Sequence, residues 1–358
     1  MHVPNTAQAR AVSLLSAVLR RPPSAVSSVV RLTGGQSNFT FRCAVDADPR
    51  EYVVRVYGSG TALLTNRKRE QRVLRLLSSQ GLGGGCIETA DDGHVAEWVP
   101  GRALSRNEME TPETSERIAA TLARLHALRL PEDGDAGTSV LQASTLGTRG
   151  TLRRWIEVAR RVATEADARA LLDTVSDRAE QLAEAVEECT CRSDAPMQWA
   201  FGLRAMCHND ATVGNLLIDD MTGNISLIDY EHAGENAVAF DIGNHFCQLM
   251  RAPQFAAAHY PALGIRTTFV EAYLHACEAA RQEGGDDAAR DGGDPPPNAL
   301  PALLYAADAY SLASHLQWAA WCVVQAALSK IEYDFAGCAR NLLECHEARR
   351  HTAFPTSF

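Results

Sequence analysis

The stretch CHNDATVGN at residues 207–215, followed by Asp229 in LIDYE, constrains this chain more than any other feature. It places a histidine, an aspartate and an asparagine at His208, Asp210 and Asn215. The following sequence LLIDD-MTGN-ISLID is typical of two short strands joined by a Gly/Asn turn. Such a hairpin predicts that Asp229 returns beside Asn215, so that a carboxylate and an amide oxygen complete a magnesium site.

This H-x-D-x-x-x-x-N spacing suits phosphoryl transfer, which needs a carboxylate to receive the acceptor's proton and oxygen ligands to hold Mg²⁺ between nucleotide phosphates. The protein-kinase catalytic loop has the same pattern, with Arg where this chain has Asn209. Asp210 is therefore the candidate general base. Asn215 and Asp229 are the candidate metal ligands, with Glu231 as an outer partner. A surface loop that merely caps a turn is the alternative interpretation.

Two further residues are expected to support this loop. His208 should brace it through hydrogen bonds rather than take part in chemistry, because Asp210 already holds the catalytic place. Asp241 opens the segment DIGNHF and is expected to be a buried brace that hydrogen-bonds to the loop. A simple helix N-cap at Asp241 is the competing interpretation.

Composition excludes several classes of function. A formal charge of −10, from 34 basic and 44 acidic residues, disfavours a nucleic-acid partner. The ten cysteines contain no C-x-x-C pair, which argues against a zinc site or a disulfide framework and for a reducing, cytoplasmic setting. No stretch approaches 18 uninterrupted apolar residues, so we expect a soluble protein without an integral membrane segment. The apolar run at 11–19 should form an amphipathic helix.

The order of the predicted elements indicates an α+β protein with two lobes. The run FTFRCAV should pair with EYVVRVY, and CIETA with HVAEWV, to give a small antiparallel sheet in an N-terminal nucleotide-binding lobe over residues 1–100. A larger, mainly helical catalytic and substrate-binding lobe follows over residues 101–358. Its predicted helices are 113–129, 151–187, 266–282, 300–330 and 336–350. Disordered or mobile insertions are expected near 131–150 and 282–298.

The run IDYEHAGENAVAFDIGNHF (228–246) resembles the ethanolamine/choline kinase family, whose members carry a related signature after H-N-D-x-x-x-x-N. Further blocks resemble the family in the same order, and within it the sequence is most similar to the ethanolamine kinases. These blocks are LTGGQSN, YVVRVYG, NRKRE, GLGGG, AEWVPGR, LARLH and SHLQWAAWCVVQAALSKIEYDF. The resemblance implies a bilobal protein-kinase-like fold that uses ATP and Mg²⁺, with the nucleotide in the cleft.

The resemblance also implies a set of nucleotide-binding residues in the N-terminal lobe. Arg55 takes the place of the strand lysine of protein kinases, and Glu70 on the next helix is expected to orient it by an ion pair. The segment TGGQSN should approach the phosphates through backbone amides, and main-chain groups of a hinge should bind adenine. The residues concerned are Gly35, Ser37 and Asn38 in the first segment and Glu97, Trp98 and Val99 in the hinge.

The acceptor site is expected on the pattern HLQWAAW and its surroundings. Trp318 and Trp321 lie on one helical face, where their rings could hold an ammonium group by cation–π attraction, and Tyr333 should join them. Core packing is the alternative for two such tryptophans. This chain departs from the family at three positions where an aromatic, a glutamate and an aromatic are usual. They are His232, Gln248 and Cys338.

Those departures favour a primary ammonium, which offers N–H donors to Gln248, over a trimethylammonium. IEYDFAGCA also resembles ethanolamine kinases, whereas HFCQ leans toward choline kinases. The resemblance thus implies phosphorylation of ethanolamine to phosphoethanolamine, the first step of the CDP-ethanolamine route to phosphatidylethanolamine. A choline or dual-specificity kinase is the alternative.

Three rival functions stay open: a kinase for an aminoglycoside, homoserine or another small alcohol, an inactive nucleotide-binding scaffold, and a protein kinase. The last lacks an A-P-E ending after Asp229. Because some family members form dimers, a homodimer is an expected partner state.

Overall fold

The computed structural model describes residues 5–32, 38–58, 63–80, 82, 84–128, 147–250, 255–284, 294–329 and 331–353. The chain divides into two units. The first comprises Met1–Arg102, Leu217–Glu231 and Ser329–Ile331, and the second comprises Ala103–Leu216, His232–Leu328 and Glu332–Phe358. Residues 217–231 therefore belong with the first unit, which a division at residue 100 does not anticipate.

An antiparallel sheet forms the first unit in the strand order β1-β2-β3-β5-β4. Its strands are β1 (Val26–Leu32), β2 (Phe39–Val45), β3 (Glu51–Val56), β4 (Cys86–Ala90) and β5 (Gly93–Glu97). Both predicted hairpins are confirmed, since β2 pairs with β3 and β4 pairs with β5. In β2 the buried side chains are Phe41, Cys43 and Val45, which is the period-two alternation that places one face on a core.

Helix α1 (Asn5–Leu19) covers that core with the buried side chains Ala11, Leu14 and Leu15. The predicted helix at 11–19 is therefore confirmed and begins earlier. Gly93 lies where the sheet and the helix meet. A Cβ at this position would be 2.4 Å from the Arg55 carbonyl oxygen and 2.9 Å from Leu14 Cδ2, so no side chain fits there without a shift.

Helix α2 (Arg67–Ser79) lies between β3 and β4 in the chain, and its N-cap is Asn66, whose side chain accepts a hydrogen bond from the Arg69 N–H. It buries Glu70, Val73 and Leu77. Strands β6 (Arg102–Ala103), β8 (Leu216–Ile218) and β9 (Ile225–Leu227) are short, and β8 pairs with β9. This confirms the predicted hairpin between Asn215 and Asp229.

The second unit is mainly helical. Its helices are α3 (Arg106–Met109), α4 (Pro112–His126), α5 (Gly147–Val162), α6 (Ala166–Arg192), α7 (Ala195–Gly202), α8 (Val238–Gln248), α9 (Leu263–Gly284), α10 (Ala299–Leu328) and α11 (Phe335–Ala353). Two strands, β7 (Arg204–Cys207) and β10 (Gly234–Ala237), pair antiparallel. Within the described residues, 3₁₀ turns lie at Pro23–Ala25 in the first unit and further along the chain at Val213–Asn215, Tyr230–His232 and Ala257–His259.

Most predicted helices appear within a few residues of their expected ends, but the single helix expected over 151–187 is wrong. The structure has α5 and α6 there, separated by residues 163–165. The expected insertions fall largely outside the described residues. Within them, 147–150 already belong to α5 and 282–284 to the end of α9, and Asp294 forms an ion pair with Arg281 at 3.0 Å.

Helix α10 is the centre of the second unit and is apolar around most of its circumference, so it is surrounded by other helices. Its closest neighbour on one side is α8, where a Cβ on Gly243 would lie 2.3 Å from the Ala307 carbonyl oxygen and 2.9 Å from the Ser311 nitrogen. The two backbones approach this closely only because position 243 carries no side chain. None of the helices in the described ranges has both the length and the hydropathy that crossing a membrane requires.

Candidate active site

The loop predicted to be catalytic follows strand β7 directly. The strand β10 pairs with β7, opposing Gly234 to Cys207, and so fixes the point from which the loop departs at His208. Asn209 adopts a left-handed backbone with φ of 63°, a conformation that asparagine tolerates better than most residues. The loop therefore turns sharply between His208 and Asp210.

Asp241 on α8 holds this loop from behind. One carboxylate oxygen accepts the Asn209 N–H at 2.7 Å, and the other accepts the His208 N–H at 2.8 Å and lies 3.0 Å from His126 Nε2. Burial alone would raise the pKa of Asp241, but these hydrogen bonds and His126 lower it overall, so the carboxylate stays charged. The predicted brace is confirmed. The N-cap interpretation is wrong, because Asp241 lies inside α8 and Ala237 is the N-cap.

His126, at the end of α4, links this brace to a second helix. Its Nδ1 lies 2.9 Å from the hydroxyl of Tyr273 on α9, and both side chains are buried. Tyrosine, histidine and aspartate thus form a buried series of hydrogen bonds that ends at two loop N–H groups. Because each member fixes the next, α4, α8 and α9 together set the position of the loop.

The Asn209 side chain adds attachments on the other side of the loop. Its Nδ2 donates to the carbonyl oxygens of His232 at 3.0 Å and Gly234 at 3.3 Å, and its Oδ1 accepts from Asn236 Nδ2 at 2.8 Å. Position 209, an arginine in protein kinases, is here a structural amide that ties the loop to the start of β10.

Asp210 and Asn215 lie side by side in the second unit. Asn215 Nδ2 donates to the Asp210 carbonyl oxygen at 2.9 Å and to its carboxylate Oδ2 at 3.0 Å. Asp210 itself is half-buried. With its nitrogen turned to Asp210, the Asn215 amide directs its oxygen elsewhere.

In the first unit Arg55 is the centre of a buried charge cluster. Its guanidinium donates to both carboxylate oxygens of Asp229, at 2.6 and 2.9 Å, and lies 3.5 Å from Glu70 and 3.4 Å from Glu231. The structure thus brings Arg55 and Glu70 together, and adds Asp229 as the closer partner. Burial alone would lower the pKa of Arg55, but the carboxylates raise it overall.

Arg67 is a second cation in this cluster, at 2.9 Å from Glu70 and 3.8 Å from Glu231. Burial nevertheless raises the pKa of Glu70 above its ordinary value, because desolvation outweighs the two arginines. Asn38 donates to Glu231 at 2.9 Å and accepts the Gly58 N–H at 3.1 Å. Gly35 and Ser37 lie outside the described residues.

The donors proposed for Mg²⁺ are oxygen atoms, which a hard cation prefers, and one belongs to each unit: Asp229 to the first and Asn215 to the second. Asp229 is about one-third exposed, at 32% of its side chain, and each of its oxygens accepts a hydrogen bond from Arg55. Its backbone is left-handed, with φ of 66°. The Asn215 amide offers its oxygen. Carboxylate and amide oxygens are the protein ligands that Mg²⁺ accepts, so these residues fit the ion.

The segment Glu97–Val99 ends strand β5. The Glu97 N–H donates to the Gly85 carbonyl and the Trp98 N–H donates to the Glu51 carbonyl, both at 2.9 Å. Across the part of the chain that the structure describes, the Val99 N–H has no such main-chain acceptor. Side chains at the first two positions contact arginines: Glu97 pairs with Arg50 at 3.2 Å, and Trp98 lies under Arg42.

Three rings meet edge to face in the second unit. His232 lies 5.3 Å from Trp155 and 5.5 Å from Trp318, and Trp155 lies 5.6 Å from Trp318, measured between ring centroids. We call these residues the ring triad. Trp155 on α5 is almost fully buried, and His232 is buried too. Edge-to-face aromatic pairs attract each other by more than the burial of their surface area alone provides, so the three rings of the triad hold one another in a defined arrangement.

The aromatic set continues along α10 to α11. Trp318 and Trp321 are 5.7 Å apart, Trp321 and Phe335 are 5.7 Å apart, and Phe335 and Tyr333 are 4.8 Å apart. Tyr333 is 41% exposed, which makes it the most accessible of these rings. The structure therefore brings four of the predicted acceptor residues into one continuous aromatic series, through Trp155 and Phe335.

Asn244 on α8 orients Trp318. The Asn244 Oδ1 accepts the Trp318 indole N–H at 2.9 Å and the Ser314 hydroxyl at 2.7 Å. Gln248, one turn further along the same helix, is buried, and Cys338 lies half-buried on α11.

Sequence reasoning missed three residues that the structure places at the site: His126, Trp155 and Asn244. His126 and Asn244 lie in LARLH and DIGNHF, which carried the family resemblance but no individual role. Trp155 had no signal, because a single tryptophan among the apolar positions of a helix is typical of core packing.

A family model described as choline/ethanolamine kinase matches residues 29–346. Probable choline kinase 1 of Arabidopsis thaliana is 29% identical over 310 residues, which cover 84% of this chain and 79% of that protein. Probable ethanolamine kinase of the same plant is 29% identical over 315 residues, covering 87% and 76%.

The solved structure of an ethanolamine kinase from Plasmodium vivax is similar in fold, with a TM-score of 0.72 and 21% identity over 91% of this chain and 84% of that one. This confirms the protein-kinase-like α+β fold. Since the family model spans most of its length, this chain belongs to the choline/ethanolamine kinase family.

Proposed function

We propose that this kinase phosphorylates the hydroxyl of ethanolamine with ATP, giving phosphoethanolamine and ADP. The observation that carries the proposal is the ring triad, in which an imidazole occupies a place beside Trp318 in the aromatic series. The product would enter the CDP-ethanolamine route to phosphatidylethanolamine. A choline kinase, or a kinase for both alcohols, is the second candidate.

The chemistry assigned to the second unit rests on Asp210. Its half-buried carboxylate accepts the proton of the acceptor hydroxyl while the new O–P bond forms and the bond from the γ-phosphorus to ADP breaks. Asp241 holds the loop N–H groups immediately before it, so the carboxylate needs little reorganisation to reach the hydroxyl. The transfer is direct and needs no phosphoenzyme.

The nucleotide is assigned to the first unit. Arg55 binds phosphate oxygens and Glu70 orients it, while Gly35, Ser37 and Asn38 approach the phosphates from the segment before β2. The Val99 N–H and the Glu97 carbonyl are the main-chain groups assigned to adenine, because the Glu97 and Trp98 N–H groups already have acceptors. Mg²⁺, bound through Asn215 and Asp229, would neutralise charge on the phosphates.

Acceptor choice follows from the chemistry of the two cations. A primary ammonium needs acceptors for its N–H groups, and the His232 imidazole and the amide oxygen of Gln248 can supply them. A trimethylammonium has no N–H and depends on aromatic faces and negative charge, and position 248 carries an amide instead of an acid. The Trp318–Trp321 pair, whose indoles meet edge to face, is the observation that favours choline as the second candidate, because the face of an indole attracts any ammonium.

A coupled ADP-release assay with ATP and Mg²⁺ tests this proposal against ethanolamine, its N-methylated derivatives and choline. We expect kcat/KM to fall stepwise as N–H groups are replaced by methyls. A rise in the same order would reverse the assignment to choline. Binding of ATP with no phosphorylated amino alcohol would indicate an inactive scaffold, and turnover of an aminoglycoside or homoserine alone would indicate another acceptor class.

The role of Asp210 is tested by Asp210→Ala. Removing a general base should lower kcat by about 100-fold or more while ATP affinity is retained. The matched control is Asp220→Ala in the exposed turn after β8, where the carboxylate pairs only with Arg102 among the contacts described. Turnover of the Asp210 variant within tenfold of the wild type would mean that another group accepts the proton.

A further inference from the structure

Asn244 is fully buried on α8 and uses both ends of its side-chain amide. Its oxygen accepts the Trp318 indole N–H at 2.9 Å and the Ser314 hydroxyl at 2.7 Å, and its nitrogen donates to the Asn209 carbonyl at 3.4 Å. One amide therefore contacts both the helix that carries the acceptor-side indoles and the loop residue that immediately precedes Asp210.

We propose that Asn244 is a positioning residue that sets the Trp318 ring relative to the catalytic loop, so that an ammonium held by the indole presents its hydroxyl to Asp210. The inference rests on the proposed function, which assigns Trp318 to the acceptor and Asp210 to proton transfer. Asn244 contacts neither substrate nor nucleotide in this account, and it acts through the indole and the loop.

The chemistry of position 244 favours an amide. Aspartate would lose the N–H that reaches the Asn209 carbonyl, and an aliphatic residue would remove the acceptor of the half-buried Trp318 indole and of the buried Ser314 hydroxyl. Trp318 also contacts Trp155 and His232, so its orientation determines where the ring triad lies. The hydrogen bond to the indole N–H, the ring's single donor, constrains the side-chain torsions that orient Trp318.

Trp318→Phe tests the hydrogen bond, because it removes the N–H and keeps an aromatic ring. We expect a loss of roughly fivefold or more in kcat/KM for the amino alcohol, the fold-change that one buried hydrogen bond typically supplies, with KM for ATP within about twofold of the wild type. The matched variant is Trp321→Phe on the same helix, since within the described residues Trp321 donates no hydrogen bond to Asn244.

The decisive measurement is a double-mutant cycle on kcat/KM for the acceptor. Asn244→Ala and Trp318→Phe should be strongly non-additive, so that the second change costs less than about twofold once the first is present. Asn244→Ala and Trp321→Phe should multiply independently. Additive effects in the Trp318 cycle, or equal coupling in both cycles, would overturn the inference, because a merely structural role of Asn244 affects both tryptophans alike.

A second cycle covers the case in which Asn244→Ala does not fold. Ser314→Ala removes the other donor to the same oxygen and leaves Asn244 in place. Ser314→Ala should lower kcat/KM for the acceptor in the wild-type background. It should have no further effect when Trp318→Phe is already present. Independent effects of the two changes would overturn the inference. A wild-type enzyme that turns over no amino alcohol would instead remove the proposed function itself.

Discussion

Replacing Asp241 with asparagine should strongly destabilise the second unit. The carboxylate accepts from the His208 N–H, the Asn209 N–H and His126 at 2.8, 2.7 and 3.0 Å. Hydrogen bonds to a charged acceptor contribute about 1.5–3 kcal/mol each. Asparagine keeps one oxygen and places an N–H donor where the other was, so at least one loop N–H loses its acceptor and the remaining contacts lose the negative charge, which together should cost about 3–5 kcal/mol.

Chemical denaturation at pH 7 measures the free energy of unfolding of both proteins. Because a typical domain is stable by about 5–15 kcal/mol, the loss is a large share of the total and should lower the midpoint of thermal unfolding by roughly 10 °C. Below that midpoint, kcat should fall more than the KM for ATP changes, since the loop before Asp210 loses its support. Asp173→Asn is the control, as its exposed pair with Arg160 should contribute less than about 1 kcal/mol.

The pH dependence follows from the sign of the pKa shift. The pKa of Asp241 is lowered in the folded protein, so its contribution is present above the ordinary value of 3.8 and is lost as pH falls through the folded value. Stabilities of the wild type and the variant should therefore converge in strong acid. A loss below about 1 kcal/mol at pH 7, or a loss equal to that of the control, would refute the assignment of Asp241 as the main support of the loop.

Two other changes test the packing and the buried histidines. Gly243→Ala should lower the free energy of unfolding by about 1–3 kcal/mol, because the new Cβ meets the Ala307 carbonyl. Gly264→Ala is the control and should not lower it, because nothing lies within 4 Å of a Cβ at that position. Equal losses for the two variants would contradict the close contact of α8 and α10. The free energy of unfolding should also fall on acidification from about pH 6.5 to pH 4, because some buried histidines stay neutral in the folded protein but gain a proton in the unfolded chain. Each such histidine contributes a loss of up to about 1.4 kcal/mol per pH unit. Urea titrations at pH 7, 6 and 5 check this, and a flat profile would contradict it. The histidines concerned, with pKa values that burial lowers to about 3, 4 and 4, are His94, His245 and His346.

The sequence predicts those parts of the fold whose signals are local. The hairpins of the first unit alternate apolar and polar residues on either side of turn residues, so both pairings are confirmed. The break between α5 and α6 has no such signal, because residues 163–165 contain neither Gly nor Pro and the apolar periodicity continues across them. The start of α5 at Gly147 was missed for the opposite reason, since glycine-rich sequence predicts a loop.

In the candidate site, neighbours in sequence were predictable and partners across the fold were not. Asp210 and Asn215 lie close together because a short loop joins them. Trp155 meets Trp318 only because α5 packs against α10, and that depends on the shapes of many side chains at once. Hydrogen-bond partners of a buried amide such as Asn244 are likewise set by tertiary packing.

The attachments of the catalytic loop have a consequence for redesign. Asp241 binds main-chain N–H groups of positions 208 and 209, and Asn209 binds main-chain carbonyls of positions 232 and 234. Every one of these anchors survives when the side chain at position 232 is exchanged. His232, which contacts the indoles of Trp155 and Trp318, can therefore be varied to change the choice of alcohol while the catalytic loop keeps its position.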